Sequence, residues 1–490
     1  MGDLVLAIDQ GTTGTTALLV DQSIRVVAAH NVEFPNHYPE PGHVEHDVRE
    51  IWQSVGAAVG GALAKAEASA DRIRAIGITN QRETSLFWDR STGQPIHRAL
   101  VWQDRRTADY CAVLAEAGLE DLFKQRTGLV LDPYFSGTKA KWLLDNVDGA
   151  RQRARAGELA FGTIDTWLCN RLTGAHVTDP SNASRTLMYD LHDGDWNDQL
   201  LEILDVPRAA LPELAPSSQV YGHTRDVGFL PDGIPVAGMI GDQQAALFGQ
   251  ACFDSGMAKC TYGTGAFILM HTGQTITPSE HGMLTTVAWR LGDTTEFALE
   301  GSAFIAGAAV QWLRDGLGIV TSAAEIEALA ASVPDSNGVT FVPALAGLGA
   351  PHWRPDARGL LTGITGGTTR AHIARATLDG IALQIDDILS AMANDLGRPL
   401  AEVRVDGGAA RNNLLMQRQA DLLGVPCVRP EVLETTGLGS ALMAGLATDF
   451  WTDLGDIRSS WTEQRRFTPS GDDDELAATR ARWASAVAKA

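Results

Sequence analysis

Eight residues near the start of the chain, Asp9-Gln10-Gly11-Thr12-Thr13-Gly14-Thr15-Thr16, gather a carboxylate, two glycines and four threonines. Short runs rich in Val, Ile and Leu flank them, Leu4 to Ile8 and Ala17 to Val20, and both read as strands. The stretch is therefore a strand, a Gly/Thr turn and a returning strand. Such a turn exposes backbone N–H groups and hydroxyls that can cradle phosphate oxygens without a helix. Asp9, at the exit of the first strand, is suited to hold Mg²⁺ directly or through water. An ordinary hairpin with Thr chosen for strand propensity has the same pattern. The theme then returns: Met257 to Thr261 is strand-like, Tyr262-Gly263-Thr264-Gly265 is a second Gly/Thr turn, and Ala266 to His271 runs back. Two such units, each opening one half of the chain, predict an internal duplication and strengthen the phosphate reading.

Other polar sets also follow apolar strands, where open α/β sheets place their ligands. Ile73 to Thr79 leads into Asn80-Gln81-Arg82-Glu83-Thr84. Adjacent Arg82 and Glu83 offer a forked donor and an acceptor to neighbouring hydroxyls of a small polyol, or form a solvated surface pair. Ala99 to Trp102 is a short strand whose Trp102 reads more simply as core. Asp132-Pro133-Tyr134-Phe135 is a turn before a helix over Thr138 to Asn146. Ile234 to Ile240 is a strand followed by Gly241-Asp242-Gln243-Gln244, which places Asp242 either as a helix cap or as a carboxylate facing a cleft. In the second half, Phe297 to Glu300 reads as a strand and Gly301 to Leu313 as a helix. Val403 to Val405 runs into Asp406-Gly407-Gly408, where the glycine pair leaves room for a flat base or makes an ordinary strand-to-helix turn.

The elements that position these residues need more than one core. At 490 residues the default is two large domains, with the boundary between Gln250 and Ser255: 1–250 and 251–490. Asn31 to Asp47 reads as a polar, Pro-rich loop, and its three histidines lack the spacing of a zinc helix. His372 to Asn394 is a long amphipathic helix with Ile381, Ile385, Ile388 and Met392 on one stripe. Gly439 to Ala447 is a small-residue helix, and Ser470 to Glu475 an exposed acidic turn. A net charge of −21 disfavours nucleic acid, so an anionic substrate would need a local N–H-rich site and a metal ion. No run of 18 apolar residues exists, and Met1-Gly2-Asp3 has no basic region, so no membrane insertion and a cytoplasmic location are expected. Five cysteines without CxxC spacing read as buried small apolar residues. There is no Gly-Lys pair for a Walker loop and no GxGxxG after a strand.

Together these blocks resemble the FGGY family of carbohydrate kinases over nearly the whole chain, from Asp9 to about Phe450. The resemblance rests on Asp9 to Thr13, Asn80 to Thr84, Asp132 to Lys139, Gly241 to Gln250, Tyr262 to Gly265, and Gly359 to Asp379, which is similar to the family's C-terminal signature. It implies an α/β, two-domain actin-like ATPase (ribonuclease H-like) fold with ATP in a central inter-domain cleft. The Asn80 to Thr84 block implies glycerol as phosphoryl acceptor, because sugar-phosphorylating members usually carry a different sequence there. By position, Arg82, Glu83, Tyr134, Asp242 and Gln243 would bind the glycerol hydroxyls, with Trp102 and Phe267 against its carbons and Asp242 as general base. Thr12, Thr13, Gly14, Thr264, Gly307, Gln311, Gly408 and Asn412 would bind nucleotide, and Asp9 would serve Mg²⁺. Thr16, counted with the nucleotide set, stands where members commonly carry an Arg that reaches the ATP phosphates. Thr224 to Pro235 lacks the Gly- and Arg-containing loop with which some bacterial members bind fructose 1,6-bisphosphate, so no such inhibition is expected. Self-association stays open. So do two other readings, a polyol or ketose kinase of the same fold and a non-metabolic actin-like ATPase.

Overall fold

The apolar runs pair into two large sheets in the computed structural model, which describes residues 2–490. The first sheet runs in the order Ser218–His223, Pro235–Gly241, Ile73–Asn80, Leu4–Gln10, Gly14–Asp21 and Val26–Glu33. Leu4–Gln10 pairs antiparallel with Gly14–Asp21 and parallel with Ile73–Asn80, which pairs parallel with Pro235–Gly241. The second sheet repeats this plan. The hairpin Ala258–Tyr262 and Ala266–Gly273 is flanked by antiparallel Thr294–Ala303 on one side. Parallel Val403–Asp406 and Cys427–Pro430 follow on the other, then an antiparallel edge strand, Glu463–Phe467. One further strand, Leu284–Leu291, extends it beyond Thr294–Ala303. The two Gly/Thr turns thus occupy equivalent places, and each closes with a similar bond: Gly11 N to Gly14 O and Gly263 N to Gly265 O, both 2.9 Å.

A smaller four-stranded sheet, Glu45–His46, Ala99–Leu100, Ser85–Asp89 and Leu159–Thr163, carries the segments that hold Trp102 and Tyr134. Of the two parallel strands, Ile73–Asn80 leads into the polar turn over Gln81 to Thr84, and Pro235–Gly241 leaves the ladder at Gly241. The Asp242–Gly249 helix begins directly after the second. Helix Thr435–Ala447 packs on that helix and on the first sheet, although its own chain comes from the second half. Its stripe of small residues permits this: a Cβ at Gly439 would lie 1.9 Å from Ala245 O, and one at Gly77 2.0 Å from Ser440 O.

Several elements differ from the sequence reading. Residues 301–303 extend a strand rather than start a helix, because Gly301, Ser302 and Ala303 pair with Ile268, Phe267 and Ala266; the helix begins at Gly307. The Asn31 to Asp47 segment is flanked by pairing at both ends, Val26–Glu33 and Glu45–His46. Its histidines take protein partners: His37 meets Glu50, and His46 is buried against Asn36 and Gln81. The acidic stretch 470–475 is half helix, since Asp472 caps Asp473–Val487 and places three carboxylates in its first turn. The five cysteines are buried and unpaired. Among the described residues no helix is long and apolar enough to cross a membrane.

Candidate active site

The floor of the site forms where Ile73–Asn80 ends. Glu83 adopts φ +61°, a conformation unfavourable for a residue with a Cβ, inside a tight turn closed by Thr84 N to Arg82 O at 2.7 Å. The turn sends Arg82 and Glu83 inward, and both are buried, so they are not a surface pair. Arg82 Nη1 and Nη2 grip the two oxygens of Glu300 at 2.5 and 2.9 Å, and its Nε lies 3.1 Å from Asp242 Oδ1. Arg185 completes the cluster, with Nε 2.8 Å from Glu83 and Nη2 3.0 Å from Glu300. Burying so many charges is tolerable only because each is paired. Burial raises Glu300, but Arg185 and Arg82 outweigh it and hold the carboxyl down at about 2. Gly241 lets the guanidinium stem pass: a Cβ there would lie 2.7 Å from Arg82 Cδ.

Asp242 is the first residue of its helix, whose cap is Gly241, so it is not the capping residue. Its Oδ1 is held by Arg82 and by the backbone N–H of Gln243 at 2.7 Å. No contact of Oδ2 is found among the described residues, and the side chain is 28% exposed. Burial raises the Asp242 carboxyl above the ordinary value, with Arg82 and Lys259 pulling the other way. One oxygen is fixed and the other is open to accept a proton.

Aromatic rings wall the cluster. Trp102 is half-buried rather than core; its Nε1 donates to Thr12 Oγ1 at 2.9 Å and its ring meets Tyr134 edge-on at 5.6 Å. Tyr134 lies 5.8 Å from the Arg185 guanidinium carbon. Its turn is gripped by Lys139, whose Nζ donates to the carbonyls of Pro133, Tyr134 and Phe135 at 2.6, 2.6 and 3.3 Å. Opposite, Gln243 accepts from Lys259 Nζ, which also reaches the carbonyl of Phe267. Contacts therefore run from Thr12 through Trp102 and Tyr134 to Arg185, which reaches both Glu83 and Glu300; Arg82 meets these two and Asp242, and the path continues through adjacent Gln243 and Lys259 to the backbone carbonyl of Phe267, taking in every residue expected at the acceptor.

The residues expected at nucleotide divide into two groups. Thr12, Thr13, Gly14 and Thr16 lie on the first hairpin, where Asn31 Nδ2 donates to Thr16 Oγ1 at 2.9 Å. At the second hairpin, Thr264 O accepts from Ala306 and Ala308, and Gly263 O accepts from Gly307. Gly307 is required there, since a Cβ would lie 2.6 Å from Gly263 O. Gly407 packs against Tyr262 in the same way, which brings the exposed Gly408 turn beside the hairpin. Gln311 is exposed one turn along the Gly307–Asp315 helix, and Asn412 caps Asn413–Leu423 through its Oδ1. Asp9 lies across the ladder from Thr16. Burial, Asp242 and Glu434 push its carboxyl up to about 8, and no cationic side chain pairs with it among the described residues. Arg225 is exposed on its loop.

The sequence reading missed Lys139, Arg185, Lys259 and Glu300. Arg185 has no motif around it. Lys139 closes a recognised block but was given no role in it, and Lys259 and Glu300 sit inside elements read only as strands. The one available signal was a charged residue at a position whose period predicts burial.

Comparison with known proteins follows the same residues. The model of the FGGY family of carbohydrate kinases, N-terminal domain, matches residues 4–249, and that of its C-terminal domain residues 258–448. The chain is 59% identical over 486 residues to a glycerol kinase of Trichlorobacter lovleyi, covering 99% of this chain and 98% of that one. It is 57% identical to a glycerol kinase of Myxococcus xanthus, covering 99% of each. Among solved structures, Plasmodium falciparum glycerol kinase with ADP superimposes with a TM-score of 0.93 at 34% identity, over 100% of this chain and 98% of that one.

Proposed function

The chain belongs to the FGGY family of carbohydrate kinases, and from that premise we propose that it transfers the γ-phosphoryl group of ATP to glycerol, giving sn-glycerol 3-phosphate. The observation that carries the acceptor side is Asp242, pinned at Oδ1 and open at Oδ2, in a cluster lined by Arg82, Glu83, Tyr134 and Gln243. A non-metabolic ATPase has no use for such a set of buried charges.

Glycerol is neutral and its hydroxyl is a weak nucleophile near pH 7. Asp242 Oδ2 accepts the hydroxyl proton as the oxygen attacks phosphorus. Arg82 keeps the carboxylate oriented and ionised through Oδ1. Trp102 and Phe267 cover the carbons, and Glu83 and Tyr134 fix the remaining hydroxyls. Backbone N–H groups and hydroxyls of Thr12, Thr13, Gly14, Thr16 and Thr264 orient the phosphates, while Gly307, Gln311, Gly408 and Asn412 border the nucleoside. The polyol side belongs mainly to residues 1–250 and the nucleotide side to 251–490. Asp9 fits a divalent cation, because its carboxyl is raised by burial first and then by the Asp242 and Glu434 carboxylates, with no cationic side chain to offset them among the described residues. Mg²⁺ bound there would neutralise phosphoryl oxygens as charge develops on them.

The test is ADP release with Mg·ATP, with and without glycerol, for the wild type and Asp242→Asn. Glycerol should stimulate release, and Asp242→Asn should lower kcat by ~10²–10⁴-fold. The wild-type acid limb of kcat/KM should lie above the ordinary carboxylate value and vanish in the variant, because a raised Asp242 becomes protonated, and inactive, earlier as pH falls. Equal turnover with and without glycerol would refute the reading.

A further inference from the structure

We propose that Lys259 is a positioning residue for the acceptor site, fixing the Gln243 amide so that its amino group faces the polyol. This rests on the glycerol reading above. Lys259 lies on Ala258–Tyr262, where side chains alternate. Ala258, Cys260 and Tyr262 enter the apolar core of the second half, so Lys259 and Thr261 share the opposite face. There Lys259 is fully buried. Its Nζ has three partners: Gln243 Oε1 at 2.5 Å, Thr261 Oγ1 at 2.9 Å and Phe267 O at 3.3 Å. An ammonium has three donors and no acceptor, so all its capacity is used.

The consequence falls on Gln243. Either end of an amide fits the same space, and a hydrogen-bond partner decides which way it turns. An ammonium can only donate, so the amide oxygen must face Lys259 and the amino group must face away from it. That amino group has no protein partner among the described residues. Gln243 follows Asp242 in the first turn of one helix. Each leaves one polar group without a protein partner among the described residues: a proton acceptor, Asp242 Oδ2, and a hydrogen-bond donor, Gln243 Nε2. This suits two neighbouring hydroxyls of a polyol, one giving its proton and one accepting a hydrogen bond. The same ammonium holds the Phe267 carbonyl, tying the apolar wall to this polar pair. Lys259 acts through these residues and touches no reacting atom.

The experiment measures KM for glycerol and for ATP, and thermal melting, in the wild type, Lys259→Met, Gln243→Leu, the double variant and Gln243→Glu. Lys259→Met should raise KM for glycerol by about tenfold, the order expected for one misdirected hydrogen bond, and leave KM for ATP within about twofold. The double variant should be no worse than the worse single one, because the lysine acts through the glutamine. Gln243→Glu keeps the oxygen toward Lys259 but removes the donor, so it should raise KM for glycerol without lowering the melting temperature. An unchanged glycerol KM in Lys259→Met, or additive losses in the double variant, would overturn the proposal. If Lys259→Met does not fold, Gln243→Glu decides: a raised glycerol KM supports the proposal and an unchanged one overturns it. A wild type that ignores glycerol overturns the functional reading and this inference with it. A wild type that responds, with Lys259→Met and Gln243→Glu matching it, overturns this inference alone.

Discussion

Lys139 shows how one buried charge can fix the turn that carries an aromatic ring. Three successive carbonyls, those of Pro133, Tyr134 and Phe135, point at its Nζ, and that convergence fixes the turn carrying Tyr134. Burial lowers its ammonium to about 8, with Glu83, Asp104 and Asp132 resisting. The folded chain therefore releases this proton at about 8, while the unfolded chain keeps it to the ordinary lysine value of 10.5. Between those limits the unfolded state binds more protons, so this group's contribution to stability rises with pH. In the same window the turn loses a donor. KM for glycerol should thus climb as pH rises through about 8 while melting temperature does not fall for this reason. Lys139→Met should show a high KM throughout, with no inflection. A flat wild-type KM from pH 7 to 9.5 would separate Lys139 from substrate binding. Lys139 lay inside a recognised motif, but its partners are backbone atoms, and residue types alone do not record where carbonyls point. Arg82, Glu83 and Asp242 were legible because each follows an apolar strand within a polar block. Arg185 and Glu300 were not, since each meets its partners across 102 residues or more.

At the level of elements, the Thr435–Ala447 helix decides whether the two halves dock. It approaches the Asp242–Gly249 helix so closely that backbone meets backbone. A Cβ at Gly439 would lie 1.9 Å from Ala245 O, and one at Gly249 2.1 Å from Thr435 O. Neither obstacle is the end of a flexible side chain, so relief requires the helices to separate. Gly439→Ala should then cost about 1–3 kcal/mol, the range for overpacking, despite the better helix propensity of Ala. Because Asp242 opens the displaced helix, kcat should fall along with the melting temperature. A melt at or above wild type with full activity would contradict this. The small-residue helix was legible from Gly439 onward, as were both hairpins, because Gly/Thr turns between apolar runs have a short-range signal. The start of the Gly307–Asp315 helix was misplaced because residues 301–303 are held in a strand by Ala266 to Ile268, a pairing that small residues do not advertise. The edge strand Glu463–Phe467 escaped for the opposite reason: four of its five residues are polar, as suits an exposed sheet edge.

For the whole molecule, the charged cluster around Arg82 is a joint between two halves built on the same plan. Arg82 extends from the first sheet and grips Glu300 on the second with both terminal nitrogens, while its Nε holds Asp242. The orientation of Asp242 thus depends on a carboxylate from the other half. Glu300→Gln keeps the shape but removes the charge, leaving Arg82 and Arg185 less well compensated. Breaking a buried pair outright costs about 3–5 kcal/mol, and the retained amide oxygen should place this variant toward the lower end. Glu300 is held at about 2, below its ordinary value of 4.5, so its stabilising contribution is complete above pH 4.5 and is lost as pH falls toward 2. The gap in melting temperature between wild type and Glu300→Gln should therefore be largest at neutral pH and narrow as the solution is acidified below 4.5. At pH 7 the variant should also show a higher KM for glycerol, because Arg82 is no longer fixed. A melting gap independent of pH would mean that the pair contributes shape rather than charge. A large gap with unchanged glycerol kinetics would mean that Glu300 holds the halves together without orienting the site.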